Sequence, residues 1–286
     1  MATTVEDRGY KLEGGPVGVL LIHGLGGTPM EMRYVALGLA RAGHTVHVPQ
    51  LAGHCGTPED IKRSTWRDWT GSIDVALDEL RKTCTTVVVG GLSAGGVLAL
   101  EVAARRPKDV QGVTLYAPTL WLNGWSLPWY ACLFRTVISK WVANRIPFVE
   151  REPYGIKDRR LREMVVTSLS SGDSSQAGLY CTPGGTMLEL RYLVNSILPK
   201  LKSITQPALL MHPRDDDRAD ISNSFYLQRH LGGLVHMTVL DDCYHIVTVD
   251  RQRDVVVERS VEFVSWLTTR TQSVASRSPG RRIAAA

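Results

Sequence analysis

Val87-Val88-Val89-Gly90-Gly91-Leu92-Ser93-Ala94-Gly95-Gly96-Val97-Leu98 sets a β-branched apolar run directly before a helix-forming one, with a serine at the joint. Three consecutive valines fit a strand buried on both faces of a parallel sheet. The stretch Ala94 to Arg105 fits a helix stopped by Pro107. A Gly-x-Ser-x-Gly match alone arises by chance in roughly one such chain in seven, so its placement decides its reading. A serine on a sharp strand-to-helix turn needs small neighbours, because backbones come close there. Gly91, Ala94 and Gly95 are small. Ser93 is therefore the candidate nucleophile, set against the plainer reading of a glycine-rich helix cap.

Outward from this stretch, strands and helices alternate. Val17 to Ile22 reads as another buried strand, ending at His23-Gly24-Leu25-Gly26-Gly27. Thr28-Pro29-Met30-Glu31 offers a Thr N-cap, Pro in the first turn and Glu at the capping-box position, with Gly43 closing the helix. His44 to Pro49 reads as a strand, Trp66 to Lys82 as a helix introduced by Thr65 and Asp68, and Val113 to Tyr116 as a strand. The alternation stops at Thr119 and resumes after about Thr205 with strand Ala208 to His212, helix Ser222 to Leu231, strand Met237 to Leu240 and helix Asp254 to Thr268. This pattern predicts an α/β fold with a mostly parallel central sheet flanked by helices. Residues 1–118 and 206–270 form its body, and 119–205 a largely helical inserted cap over the sheet's carboxyl edge. Residues 271–286 read as a disordered basic tail.

Composition narrows the classes. The net charge is +5, but Arg270, Arg277, Arg281 and Arg282 supply four of those charges in a closing stretch without an acidic residue. The body is nearly neutral, which argues against a nucleic-acid surface. No run approaches the ~18 apolar residues of a membrane span, and no secretory signal is recognisable. Five scattered cysteines without CxxC spacing read as free thiols in a cytoplasmic protein, with neither disulfides nor a metal site.

A serine hydroxyl needs a base within hydrogen-bond reach. Of eight histidines, His245 lies in the loop after strand Met237 to Leu240, and loops at the carboxyl ends of parallel strands converge on one crevice. The chain order serine, acid, histidine also places the base last. His230 and His236 occupy a helix end and a strand start, which are poorer positions. The acid belongs in the loop after Ala208 to His212, where Asp215, Asp216, Asp217 and Asp220 crowd together. Asp215, the first carboxylate past the strand, is favoured. Asp217 is the runner-up, Asp216 is expected to face solvent, and Asp241 and Asp242 are remoter. Two backbone N–H groups should meet a developing oxyanion: that of Ala94, after the nucleophile, and that of Leu25, in the loop after the first buried strand.

These residues resemble those of the bacterial carboxylesterases and monoacylglycerol-lipase-like enzymes of the α/β-hydrolase superfamily, from about Val17 to Leu267. His23-Gly24-Leu25-Gly26-Gly27 looks like the family's oxyanion loop. Gly53-His54-Cys55-Gly56 is similar to its Gly-His-Gly loop, with a cysteine inserted, and Trp66-Arg67-Asp68-Trp69 to the start of the following helix. Gly91-Leu92-Ser93-Ala94-Gly95-Gly96 is close to the nucleophile elbow. Arg214-Asp215-Asp216 resembles the acid loop, and His245-Ile246-Val247-Thr248-Val249-Asp250 the histidine loop. His212 stands where many relatives carry glycine. The resemblance implies the α/β-hydrolase fold and hydrolysis of carboxylic esters through an acyl-enzyme, without metal or organic cofactor, with Asp215 as the acid.

The partner expected is a small-molecule ester with an apolar acyl or alcohol part, such as a short- to medium-chain acyl ester or a monoacylglycerol. Trp121, Trp125 and Trp129 belong to an apolar run that leaves a strand's carboxyl end, and are expected to line the substrate pocket. The alternative is that they pack the cap onto the body. Competing uses of the same residues are a thioesterase, an acyltransferase that excludes water, or a non-catalytic binding protein on the same scaffold.

Overall fold

A computed structural model describes residues 5–170, 174 and 178–276. The elements in order are β1 (Tyr10–Leu12), β2 (Gly15–Ile22), α1 (Arg33–Arg41), β3 (His44–Val48), α2 (Pro58–Arg63), α3 (Trp66–Arg81), β4 (Thr86–Leu92), α4 (Ala94–Arg105) and β5 (Gly112–Tyr116). There follow α5 (Lys140–Ala143), β6 (Pro147–Val149), α6 (Arg159–Ser170), β7 (Cys181–Pro183) and α7 (Gly184–Ile197). The chain then runs through β8 (Ala208–Pro213), α8 (Ser222–His230), β9 (Val235–Leu240) and α9 (Arg253–Ser276).

Seven strands form one sheet in the order β1-β3-β2-β4-β5-β8-β9. Only β1, on the edge, runs antiparallel to its neighbour. The valine run of β4 is apolar throughout because both faces are covered. Val87 and Val89 pack with α3, α4 and α7, while Val88 packs with α1 and α9 on the other side. Register carries this order to the site. Ile22 lies opposite Gly91, Leu92 opposite Tyr116, Tyr116 opposite Met211, and Pro213 opposite Leu240. The loops after β2, β4, β5, β8 and β9 therefore leave the sheet along one carboxyl edge, where open α/β sheets bind their ligands.

The body elements follow the sequence reading within a few residues, and the differences have local causes. The capping box expected at α3 forms in full: Thr65 accepts from the Asp68 amide and Asp68 from the Thr65 amide. The one expected at Thr28 does not. A 3₁₀ turn, Pro29–Met32, precedes α1, and the Glu31 carboxylate reaches the Gly24 amide instead. The segment after β5 contains short helices and the antiparallel pair β6-β7. Its last part does not belong to a separate cap, since Leu193, Val194 and Ile197 of α7 share one core with Leu98 and Leu100 of α4. The cap boundary expected at 205 thus comes about twenty residues too late by the packing of α7. The disordered tail expected from 271 also starts too early, because α9 continues to Ser276; residues 277–286 lie outside the described residues. Among the described residues, no helix is long and apolar enough to cross a membrane.

Candidate active site

Ser93 sits between β4 and α4 with φ 56° and ψ −118°, a conformation that costs a non-glycine residue about 1–3 kcal/mol. The surrounding glycines make the turn possible. A Cβ on Gly91 would stand 2.3 Å from the Gly95 backbone, and one on Gly95 would stand 2.4 Å from the Ile22 carbonyl oxygen. The Ser93 amide donates to the Tyr116 carbonyl at 2.8 Å, which ties the turn to β5.

His245 Nε2 lies 2.9 Å from Ser93 Oγ, and its Nδ1 lies 2.8 Å from one Asp216 oxygen and 3.0 Å from the other. The carboxylate at Nδ1 assigns the ring proton to that nitrogen and leaves Nε2 as an acceptor for the serine hydroxyl. The same Asp216 carboxylate accepts from the amides of Arg218 and Ala219, both at 2.8 Å. Burial alone would raise its pKa. The charge of His245 and hydrogen bonds from His212 and His245 outweigh burial and hold the carboxyl far below its usual range, so it stays ionised.

The acid expected at Asp215 is therefore corrected to Asp216. β8 ends at Pro213, and the Arg214 amide still donates to the Leu240 carbonyl as the chain enters a turn. Asp215 lies in this turn and faces solvent. Asp216, just past the turn, is buried, and its side chain accepts from the amides two and three residues on. Asp217, the runner-up, is buried, but it accepts from the backbone amides of His245 and Gly155 and does not reach the imidazole ring. Burial raises its pKa, with the charges of Arg218 and His245 opposing. His212, the departure from the family pattern, is fully buried between Ser224 Oγ and the Ala219 carbonyl, each at 2.8 Å, and braces this turn.

Leu25 and Ala94 stand where the sequence places them, in the loop after β2 and at the start of α4. Among the described residues neither amide is bonded to another group. His23 is a structural group in this loop. Its Nδ1 faces the Gly24 carbonyl, its Nε2 accepts from the Leu51 amide, and burial lowers its pKa to about 4. Ser93, His245, Thr119 and Leu25 open onto a cavity of about 530 Å³. Its remaining wall comes mainly from the inserted segment, with Leu122, Leu127, Phe134, Val137 and Phe148 among the lining residues.

The sequence profile of the alpha/beta hydrolase family matches residues 19–259. The chain belongs to the α/β hydrolase family. This α/β hydrolase is 31% identical over 255 residues to a thermostable monoacylglycerol lipase of Bacillus sp. (strain H-257), a match covering 89% of this chain and 92% of the relative. It is 22% identical to a carboxylesterase of Bacillus subtilis (strain 168), over 92% of this chain and 98% of that one. Among solved structures, one reported for the metagenome-derived lipolytic enzymes LipS and LipT superposes with a TM-score of 0.74 at 27% identity, covering 90% of this chain and 96% of the other.

In this α/β hydrolase the three tryptophans do not line the cavity that holds Ser93. Trp121 packs edge-on against Tyr226 and, with Trp129, lines a second cavity of about 530 Å³. Trp125 is exposed and donates through Nε1 to the Asp215 carbonyl. The cause is backbone anchoring. The Leu120 and Trp121 amides donate to Asn223 Oδ1, and Gly124 and Ser126 to the Arg218 and Asp217 carbonyls. That path sets Leu122 and Leu127 in the wall of the cavity that holds Ser93 and leaves the three tryptophans outside it.

Two further polar residues lie close to Ser93 and are not among the candidates the sequence singles out. The sequence marks Thr119 only as the first residue of the cap, although its position just past a strand's carboxyl end is a usable signal. Glu31 has the spacing of a cap partner for Thr28. Burial pushes its carboxyl from 4.5 up to about 7, with Glu150 adding to the rise and the Gly24 amide, Arg218 and His245 opposing it. A folded-state pKa raised in this way favours folding most below the unfolded value, and that benefit disappears as pH rises through about 7. Glu31→Gln keeps an acceptor for Gly24 and carries no charge. Its Tm should match wild type near pH ~4 and exceed it near pH ~8, where each kcal/mol is worth roughly 2–4 °C. Parallel melting curves for the two proteins across that range would count against a Glu31 that titrates near neutral pH.

Proposed function

We propose that this α/β hydrolase is a carboxylester hydrolase that works through an acyl-enzyme on Ser93. The observation that carries this reading is the contact line from Asp216 to His245 Nδ1 and from His245 Nε2 to Ser93 Oγ, on a strained turn opening into an apolar cavity. His245 takes the serine proton as Oγ bonds to the ester carbonyl carbon, and Asp216 stabilises the imidazolium that forms. The Leu25 and Ala94 amides receive the oxyanion. His245 returns the proton to the departing alcohol, and water attacks the acyl-enzyme by the same route to release the acid.

The substrate class we infer is short- to medium-chain acyl esters or monoacylglycerols. The lipase and esterase relatives support it, as does a cavity whose size suits a small ligand. We also assign the enzyme to the cytoplasm, on the odd, scattered cysteine set, of which Cys84 and Cys243 are buried in the two cores.

The test is kcat/KM over p-nitrophenyl esters from acetate to laurate, with acyl-CoA substrates beside them. Turnover of the esters is expected, with a defined chain-length optimum. Turnover confined to acyl-CoA would replace this reading with a thioesterase. Phe134 lines both cavities and meets Phe148 edge-on, so Phe134→Ala should join the two and move the optimum to longer chains. Each added methylene in contact is worth about 0.8 kcal/mol, or several-fold per carbon. Trp125→Ala should leave the profile where it was. An optimum unmoved in Phe134→Ala would remove the acyl chain from this wall.

A further inference from the structure

We propose that Thr119 is a further catalytic residue, whose hydroxyl donates a hydrogen bond to Ser93 Oγ while negative charge resides on that atom. The inference rests on Ser93 being the nucleophile and adds a second group in contact with the reacting oxygen. Thr119 Oγ1 lies 3.1 Å from Ser93 Oγ, and the residue is 1% exposed.

The backbone holds it there from both sides. Upstream, β5 ends at Tyr116, which accepts the Ser93 amide, and Ala117 adopts φ 44°, a left-handed conformation that a non-glycine residue takes only under constraint. The Ala117 amide is fixed to the Met211 carbonyl at 2.8 Å, so the bend occurs at the sheet edge, immediately before Pro118. Downstream, the Leu120 amide is held by Asn223 Oδ1 at 2.9 Å, and the Thr119 amide itself points to the Ser93 carbonyl at 3.4 Å. A strained residue and a buried asparagine thus flank a hydroxyl aimed at the nucleophile.

Counting protons sets the direction of the bond. His245 Nδ1 carries a hydrogen toward Asp216, so Nε2 is the acceptor for the single Ser93 proton. The Ser93–Thr119 contact is then made by the threonine proton. That proton has two acceptors in reach, Ser93 Oγ at 3.1 Å and the Ala117 carbonyl at 3.2 Å. In the resting enzyme the two are comparable. When the acyl-enzyme breaks down, the bond between the acyl carbon and Oγ cleaves and its electron pair goes to Oγ. The protonated Nε2 of His245 then supplies the proton. Thr119 gives up no proton at any stage. Its hydrogen bond strengthens as Oγ gains charge, because bonds to charged acceptors are roughly twice as strong as neutral ones. An interaction that grows toward the transition state lowers the barrier. Breakdown of the acyl-enzyme should feel it most, since Oγ is the leaving atom there.

Thr119→Val retains the branched shape without the hydroxyl, and Thr119→Ser retains the hydroxyl without the methyl. With p-nitrophenyl butyrate, stopped-flow traces give the burst of p-nitrophenol (acylation) and the steady rate (deacylation). We expect Thr119→Val to slow deacylation about 10-fold and to enlarge the burst relative to the steady rate, with Thr119→Ser within about 3-fold of wild type. Deacylation in Thr119→Val within about 2-fold of wild type would overturn the proposal. Equal losses in the valine and serine variants, tracking Tm, would overturn it in favour of a packing role. Ser93→Ala measured alongside separates the two levels: if that variant still turns over, the nucleophile assignment falls and this proposal with it. An inactive Ser93→Ala beside an unimpaired Thr119→Val removes only Thr119.

Discussion

Ser93→Ala is expected to lose roughly 10⁴–10⁶ of kcat and to melt within about 2 °C of wild type. Alanine is accommodated on this turn without new contacts, because it removes one oxygen from a side chain whose Cβ is already present. The backbone strain at φ 56° is the same for both residues. What disappears is the atom that bonds to the acyl carbon, and with it the p-nitrophenol burst. The Leu25 and Ala94 amides and the cavity persist, so the variant should still bind esters and slow a catalytic assay when added in excess as a substrate trap. A clean Ser93→Ala preparation with near wild-type turnover would sink the acyl-enzyme reading, and a large drop in Tm would show that the hydroxyl's contacts with His245 and Thr119 support the fold.

The legible parts of this chain were those where one residue type answers one local demand. Gly91 and Gly95 are required by backbone atoms within about 2.4 Å of a would-be Cβ, and that requirement is visible as a glycine on either side of Ser93. The valines of β4 are required by two covered faces, and an unbroken apolar run announces it. His245 followed from strand order, because only loops at one sheet edge converge. The acid was harder. Four carboxylates within six residues satisfy the same local pattern, and which one meets His245 depends on how the turn after β8 folds. That turn is tied to a partner twenty-six residues away in the chain, Leu240, and Asp216 is held just past it by the Arg218 and Ala219 amides. The tryptophans of the insertion fail for a related reason. Their orientation is dictated by Asn223 and by carbonyls of the acid loop, none of which is a sequence neighbour. Glu31 illustrates the same limit in reverse: the capping-box spacing was present, but a nearer, otherwise buried Gly24 amide captured the carboxylate.

Asp216→Asn should lose roughly 10⁴ of kcat, while Asp215→Asn should stay within about 3-fold of wild type. The asparagine keeps the size and can still accept from the Arg218 and Ala219 amides through its single oxygen. It then presents its NH₂ group to His245. A donor at Nδ1 drives the ring proton to Nε2, where it blocks acceptance from Ser93, and no anion remains to stabilise the imidazolium. The Asp215 carboxylate, being exposed, has no such role to lose. Asp217→Asn gives a third pattern. Asp217 holds the His245 and Gly155 amides through its two oxygens, and an amide side chain can serve only one of them with an oxygen. The expected result is a lowered Tm, about 1–3 kcal/mol for an unsatisfied buried amide, with a moderate fall in kcat as His245 loosens. Because Asp216 stays ionised far below neutrality, its own titration should not appear in the wild-type pH profile near neutral pH. Measuring kcat and Tm for the three single variants on one ester distinguishes the assignments. A crippled Asp215→Asn beside an active Asp216→Asn would return the catalytic acid to the first carboxylate past β8.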